Sequence, residues 1–424
     1  MIPGTDYLKR NVYVRKVHSS LASQKFLQAF KDLNLDESNL CLFHVLIKYP
    51  QWEKDVDLFQ FIRKKNVKQL RKDPKTFFLF DASTEGFSTI YGNTPFYDVL
   101  YHSCRVHNIS PKKVILITSN MVENKNLTRY NTNHSIKESI HVASFHNFEH
   151  MLFNLKVDTL PVSGLAEAEL DTRIEKVYLN AVKNRKRYYY GEKHFLSLSR
   201  VNRPHRTLSA FEIFNSNLYQ NCILSHDRIK KPEHYCQETE LIRGSKRKLS
   251  FRALKKFNRH LPLIADTNDF KTNHAMSLSS HLHWSTLFQV VGETLAEDWD
   301  NTSRFWSEKT FRSIFHMQPF LIWGQPNANK NLEDYGYKLY DKMFDYSFDS
   351  ESNTYKRWTM IKGEIESAVA RLNKMTGEDK LLWCFQQQDV LKHNYKIMYR
   401  EEYTKEVFQK LAFTLVQQSK DNVE

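Results

Sequence analysis

Two series of short apolar runs, each interleaved with helical patterns, constrain this chain more than any other feature. In the first series LCLFHVLI (Leu40–Ile47), FFLFD (Phe77–Asp81), KVILITSN (Lys113–Asn120) and HVASF (His141–Phe145) have strand length. Helical patterns fall around Pro95–His107 and from His146 onward. Near-continuous apolar strands are buried on both faces, and their alternation with helices predicts a parallel, doubly wound sheet.

The pattern then pauses. PVSGLAEAEL (Pro161–Leu170) reads as a linker running into a helix over Asp171–Tyr189, which ends in the basic, aromatic tract KNRKRYYY (Lys183–Tyr190). A second series follows. HFLSLS (His194–Ser199), NCILSH (Asn221–His226), TLFQVVGET (Thr286–Thr294) and PFLIWG (Pro319–Gly324) read as strands. RTLSAFEIFNSNL (Arg206–Leu218) and SEKTFRSIFHM (Ser307–Met317) read as helices. From about Ser352 the chain is helical, with Ile361–Leu372 and Tyr403–Gln418 clearly amphipathic. A length of 424 residues exceeds one compact domain. The expected division is an N-terminal Rossmann-like domain over 1–170, a linker helix over 171–190, a C-terminal Rossmann-like domain over 191–350 and C-terminal helices over 351–424.

Composition removes several function classes. Only 11 glycines occur, which argues against glycine-rich phosphate loops, and no P-loop, GxGxxG or GxSxG motif is present. The 5 cysteines are scattered without a CxxC pair; Cys104 and Cys384, in apolar surroundings, are expected as buried thiols in a reducing compartment. MIPGTDYLKRNVYVRK lacks the apolar core of a signal peptide, and the apolar runs are too short to span a membrane. A cytoplasmic protein is the expectation. The net charge of +14 points to an anionic partner such as nucleic acid, a nucleotide or an acidic lipid surface, against the simpler reading of a solvated basic surface.

Three constellations carry possible chemistry. In FWSEKTFRSIFHMQPFLIWG (Phe305–Gly324), Ser307 is a plausible N-cap and Glu308, Lys309 and Thr310 occupy the first turn. A helix start attracts anions, and Lys309 would add to that, while Glu308 could accept from ribose hydroxyls. Read alone, the segment is equally a capped surface helix. SLSRVNRPHR (Ser197–Arg206) places Arg200, Arg203 and Arg206 between a strand and a helix, where guanidinium forks suit phosphate; the plain alternative is a solvated loop. DASTEG (Asp81–Gly86) leaves a central strand with two carboxylates, Asp81 and Glu85, either of which could act as a general base, or simply shape a turn.

Weaker features remain. Asp298 and Asp300 flank Trp299 in a DxD that chance accounts for, and the histidines of Asn273–His283 match no metal spacing. Basic tracts recur at Phe61–Lys72, Lys183–Tyr190 and Arg243–His260. Each reads as a solvated face, or together with the net charge as a groove tracking a nucleic-acid backbone; among them Lys183, Arg185, Lys186, Arg187, Lys246, Arg247 and Lys248 are the candidates for nucleic-acid contact, with Tyr188–Tyr190 able to stack on bases or to pack in an interdomain hinge.

The chain resembles a family of glycosyltransferase-like proteins common in bacteriophages. The resemblance lies in Asp81 with Glu85-Gly86, in LSRVNRPHR (Leu198–Arg206) against LxRxxRxHR, and in Val291–Thr294 against V-x-ET. It is closest in SEKTFRSIFHMQPFLIWG against TEKTFKPI…PFI..G, with an Asp-bearing stretch near Asp345–Asp349. The penultimate stretch is also similar to the donor motif of α-1,3-fucosyltransferases. The likeness covers roughly 77–350; Ser307 stands for the usual Thr, and Arg312-Ser313 for Lys-Pro.

That resemblance implies an α/β, GT-B-like fold of two Rossmann-like domains whose parallel sheets face a cleft, plus C-terminal helices. It implies sugar transfer from a nucleotide diphosphate-sugar co-substrate, with no tightly bound cofactor and no required metal. Ser307, Glu308, Lys309, Thr310, Arg200, Arg203, Arg206, Glu293 and Thr294 would hold the donor, and Glu85 or Asp81 would be the base. With the positive charge, the phage likeness directs the acceptor expectation to DNA carrying a hydroxymethylated base. The alternatives are a transferase acting on a glycan or lipid-linked sugar, and a non-catalytic DNA-binding structural protein.

Overall fold

The computed structural model describes residues 12–15, 21–35, 41–47, 56–83, 86, 88–90, 94–148, 167–233, 235, 249–265, 280–297, 301–400 and 402–421. The chain forms two compact units. One comprises Met1–His150, Asp298–Phe305 and Glu401–Glu424; the other comprises Met151–Glu297 and Trp306–Arg400. The expected α/β class with parallel sheets is what the chain adopts.

The first unit is built on a five-stranded sheet in the order β1 (Val12–Arg15), β2 (Cys41–Ile47), β3 (Thr76–Ala82), β4 (Val114–Thr118) and β5 (His141–Ser144). β1 runs antiparallel to β2, and the other pairs are parallel, with Phe80 opposite Leu116 in the centre. Side chains alternate across a sheet with period two. Phe78, Phe80, Val114 and Leu116 therefore enter one core, and Phe77, Leu79, Ile115 and Ile117 another. Every residue of β3 and β4 is buried, which is why these runs are apolar without interruption.

Between these strands the described residues form α1 (Leu21–Asp32), α2 (Lys64–Lys72), α3 (Phe96–Val106) and α4 (Glu123–Asn133). Val67 and Leu70 of α2, Tyr97 and Leu100 of α3 and Leu127 of α4 cover the first face. Phe26, Ala29 and Phe30 of α1 lie on the other.

The second unit opens with the long helix α5 (Glu167–Tyr188). Its four-stranded sheet has the order β7 (Cys222–His226), β6 (Phe195–Ser199), β8 (Phe288–Gly292) and β9 (Phe320–Trp323), all parallel. α6 (Pro204–Phe214) links β6 to β7; Pro204 stands in its first turn, where the missing N–H costs nothing. α7 (Phe251–Asn258) and the short α8 (Ser280–Trp284) precede β8, and α9 (Glu308–Phe315) precedes β9. The short α10 (Lys330–Glu333) follows β9. Then come α11 (Thr354–Asn373), α12 (Gly377–Phe385) and α13 (Gln388–Arg400). α12 starts in a reciprocal cap: Thr376 Oγ1 accepts from the Asp379 N–H and donates to its carboxylate.

The last helix, α14 (Glu402–Asp421), departs from the expected C-terminal array. It belongs to the first unit, where Phe408, Leu411, Ala412 and Leu415 pack beside α1 on β3 and β4. The linker helix begins at Glu167 rather than Asp171. The expected helix over Arg206–Leu218 ends at Phe214 and continues as a 3-10 turn over Asn217–Asn221. Cys104 and Cys384 are buried free thiols, as is Cys222. Among the described residues no helix is long and apolar enough to cross a membrane.

Candidate functional site

In the second sheet the chain leaves β6 for β7 on one side and later places β8 on the other side of β6. Such a reversal opens a crevice at the carboxyl ends of the two strands, where open α/β sheets bind ligands. Ser199 ends β6 and Gly292 ends β8. α6 begins shortly after β6, and Glu293 at the end of β8 holds the start of α9, so the positive dipole ends of both helices lie near strand ends.

Glu293 organises this corner. It is buried, and both of its carboxylate oxygens lie 3.1 Å from the Ser307 backbone N–H. Thr310 Oγ1 donates to Oε1 at 2.6 Å, and the Thr294 N–H donates to Oε2 at 3.0 Å. The carboxylate thereby pins the start of α9 to the end of β8. The Glu293 carbonyl accepts from Arg206 Nε at 3.0 Å and from His205 Nε2 at 2.8 Å, which ties in the start of α6. Arg206 also reaches Thr294 Oγ1 at 3.5 Å.

Ser307 is the N-cap of α9, its hydroxyl accepting from the Lys309 N–H. Lys309 Nζ lies 2.6 Å from Glu308 Oε1 and 3.2 Å from Ser307 Oγ. Both side chains are largely buried, at 18% exposure for Lys309 and 13% for Glu308, yet neither is sealed off. Burial pushes the Glu308 carboxyl upward, but the Lys309 ammonium, with Arg312 beyond it, prevails and holds it below its ordinary range. Burial draws the Lys309 ammonium below its ordinary range; Glu308 opposes that shift and Arg206 adds to it.

Arg206 is almost wholly buried, and desolvation followed by repulsion from Arg203 lowers its guanidinium to about 10. His205 is brought down to about 3 by burial and then by Arg206, so its ring is neutral and its Nε2–H is the donor to Glu293. Arg203 is the residue before α6 and half-buried, as is Arg200 in the same loop. Several cations thus converge where two helices start, facing two carboxylates, one of which is fully used in holding backbone.

Seven of the expected donor residues come together here: Arg206, Glu293, Thr294, Ser307, Glu308, Lys309 and Thr310. Arg203 stands beside them through its repulsion with Arg206. His205 and Gly292 were not singled out in the sequence, although His205 lies within the LSRVNRPHR segment. A methyl group at Gly292 would meet Ser199 Oγ at 2.9 Å and Arg206 Cγ at 3.5 Å, so the bare α-carbon lets the arginine stem pass.

Other expectations change. Asp81 is completely buried, and its Oδ1 accepts from the Ser83 N–H at 3.0 Å and the Ser83 hydroxyl at 2.6 Å. This is the turn-shaping role, and a base for an acceptor hydroxyl needs an accessibility that Asp81 lacks. Glu85 lies outside the described residues, as do Asp298, Asp300, Lys246, Arg247 and Lys248. Arg185 is corrected as a nucleic-acid contact: it is 1% exposed and donates to the carbonyls of His283 and Met317. Lys183, Lys186 and Arg187 are exposed on α5. Tyr188 stacks near Trp284 with ring centroids 6.1 Å apart, Tyr189 is buried, and Tyr190 is 82% exposed. His283 is buried against Gln318 and stacked on His316, an internal role. Asp349 accepts from Asn329 and from the Lys330 N–H, bracing the start of α10. Among the described residues no group of three or more His, Cys, Asp or Glu is placed to hold a metal.

No protein-family model matches the chain, and no curated protein sequence matches it either.

Proposed function

We propose that this chain is a nucleotide-sugar glycosyltransferase of GT-B-like type, with the donor diphosphate held at the carboxyl end of the second sheet. The observation that carries this reading is the Glu293 hub, which brings Arg206, the N-terminus of α9 and the Glu308–Lys309 pair to one switch point. A fold of this class serves many chemistries; the site and the motif likeness support the reading.

In the proposed reaction the bond between the sugar anomeric carbon and the diphosphate oxygen breaks. A bond from that carbon to an acceptor hydroxyl oxygen forms, and the hydroxyl proton passes to a base. The departing diphosphate gains negative charge. Lys309 engages Glu308 and Ser307 and keeps a third N–H for an incoming oxygen. With Arg206, Arg203 and two helix N-termini, it supplies fixed positive potential to the leaving group without calling on a metal. Glu308 would accept from sugar or ribose hydroxyls. Glu85 keeps the proposed role of base; Asp81 does not. For the acceptor we propose a hydroxymethylated base of DNA, supported by the net charge of +14 and the exposed Lys183, Lys186 and Arg187. A base within a duplex would have to be flipped out to react.

The test is a thermal-shift screen of the purified chain against UDP, GDP, CMP and their sugars, with Lys309→Ala beside the wild type. A ligand that binds only the folded state raises the midpoint with its saturation. A shift with one nucleotide that the variant loses is expected. Failure of every nucleotide to shift the wild type, or an undiminished shift in the variant, overturns the donor site.

A further inference from the structure

We propose that the outer face of α2 docks the phosphate backbone of duplex nucleic acid. The helix and its preceding residue carry six cations, Arg63, Lys64, Lys65, Lys68, Arg71 and Lys72, all exposed. Among the described residues none of the six has an ion-pair partner. The only acid between 63 and 75 is Asp73, whose carboxylate is taken up by Thr76 and the Lys75 N–H. The concentration of charge is thus uncompensated where it stands.

The helix is held as a rigid platform. Val67 and Leu70 are buried in the core against β3, and the Lys113 ammonium donates to the carbonyls of Leu70 and Asp73 at 2.8 and 2.7 Å, closing the C-terminal end. Lys64, Lys68 and Arg71–Lys72 follow the four- and three-residue steps that keep side chains on one face, each step rising about 5–6 Å. The stripe runs roughly 13 Å, long enough to meet several phosphates spaced about 3.4 Å of axis apart on each strand.

Two features choose the partner. The apolar residues of α2 with described side chains point inward, and no large exposed hydrophobic residue lies on the helix, so it has no apolar face to insert into a lipid surface. Nor does it carry an exposed aromatic ring of the kind that stacks on unpaired bases. Flexible lysine stems on a firm helix suit a regular double-helical backbone, read without regard to sequence. The Phe61–Lys72 run stands among the basic tracts of the sequence, but none of its residues is among the individual candidates for nucleic-acid contact. It rests on the nucleic-acid side of the proposed function but not on sugar transfer.

The experiment is fluorescence anisotropy of a short labelled DNA duplex with the full chain, without nucleotide-sugar, across a salt series. The triple variant Lys64→Glu/Lys68→Glu/Arg71→Glu is compared with wild type and with Lys183→Glu/Lys186→Glu/Arg187→Glu on α5. Circular dichroism and the thermal midpoint check folding, and Lys64→Gln/Lys68→Gln serves if the reversal variant does not fold. Losing two or three phosphate contacts should weaken binding by roughly tenfold or more and lower the logarithmic salt slope by about 2–3. Wild-type-like affinity and slope in the folded α2 variants overturn the assignment. So does binding to phosphatidylserine vesicles without binding to duplex. Because the readout omits the donor, a failed nucleotide screen and a failed docking surface are separately visible.

Discussion

Both carboxylate oxygens of Glu293 lie 3.1 Å from the backbone nitrogen of Ser307. An acid at the end of one strand thereby sets where the next helix starts, before any ligand is considered. In Glu293→Gln the amide N–H₂ faces the Ser307 N–H, itself a donor, whichever way it turns. The substitution should cost about 2 kcal/mol, read by chemical denaturation. Any nucleotide-induced thermal shift should fall with it, since the first turn of α9 loses its anchor.

Gly292→Ala tests the same corner from the strand side. The added methyl group comes within 2.9 Å of Ser199 Oγ, which can rotate away, and 3.5 Å of Arg206 Cγ, an ordinary contact. Stability should therefore drop by no more than about 1–2 kcal/mol. Nucleotide binding, measured by calorimetry, should change little, because the methyl group leaves Arg206 in place.

In the first unit, Gly86 is pressed against Phe305. A β-carbon there would lie 2.1–2.3 Å from three atoms of that side chain, and one of these, Cβ, cannot swing clear without moving the backbone. The Ser303 hydroxyl holds the Gly86 carbonyl at 2.8 Å, so the two segments cannot slide apart freely. Gly86→Ala should lose about 3 kcal/mol, seen as a lowered unfolding midpoint, while Gly363→Ala, with open space around it, should not.

Glu123 supplies a pH signature. Its carboxyl is fully buried and raised to about 7 by desolvation, despite bonds from Thr89, Tyr97, Asn120 and Asn126. The folded value lies above the unfolded one of 4.5, so the folded state holds the proton more tightly. The stabilisation is full below about 4.5 and fades as pH rises through about 7, by on the order of 3 kcal/mol in all. Glu123→Gln should flatten this slope between pH 5 and 8 in pH-dependent thermal unfolding, whatever it does to the absolute midpoint. A wild-type slope that survives the substitution assigns the effect elsewhere.

Phe77–Phe80 and Val114–Thr118 are legible as strands because a run buried on both faces leaves no polar position to disguise it. Ser307 is legible as a cap for a local reason: its hydroxyl meets an N–H two residues away. Glu293 is only half legible. Its strand end can be read, but the 14-residue separation from Ser307 and the arrival of Arg206 from the other side are properties of the sheet order. Asp81 shows the converse, since the same strand-end position is spent on a two-residue turn. Arg185 reads as part of a basic run, yet helical spacing turns it inward while Lys186 and Arg187 stay outside.

The amphipathic stripe of Phe408, Leu411, Ala412 and Leu415 announces that one face of α14 is covered, but not that the cover is Ile115, Ile117 and Phe26 from the opposite end of the chain. That pairing has a consequence for how the protein is made. During synthesis β2–β5 leave the ribosome with only α1 to cover their second face, and the whole of the second unit is translated before α14 joins it. Until the residues around Leu411 emerge, the part of the Phe77–Ile117 surface that α14 covers stays open to solvent or to a chaperone. The first unit is therefore completed only after the second has been made, and a chain that stalls before Leu411 leaves part of that apolar face uncovered.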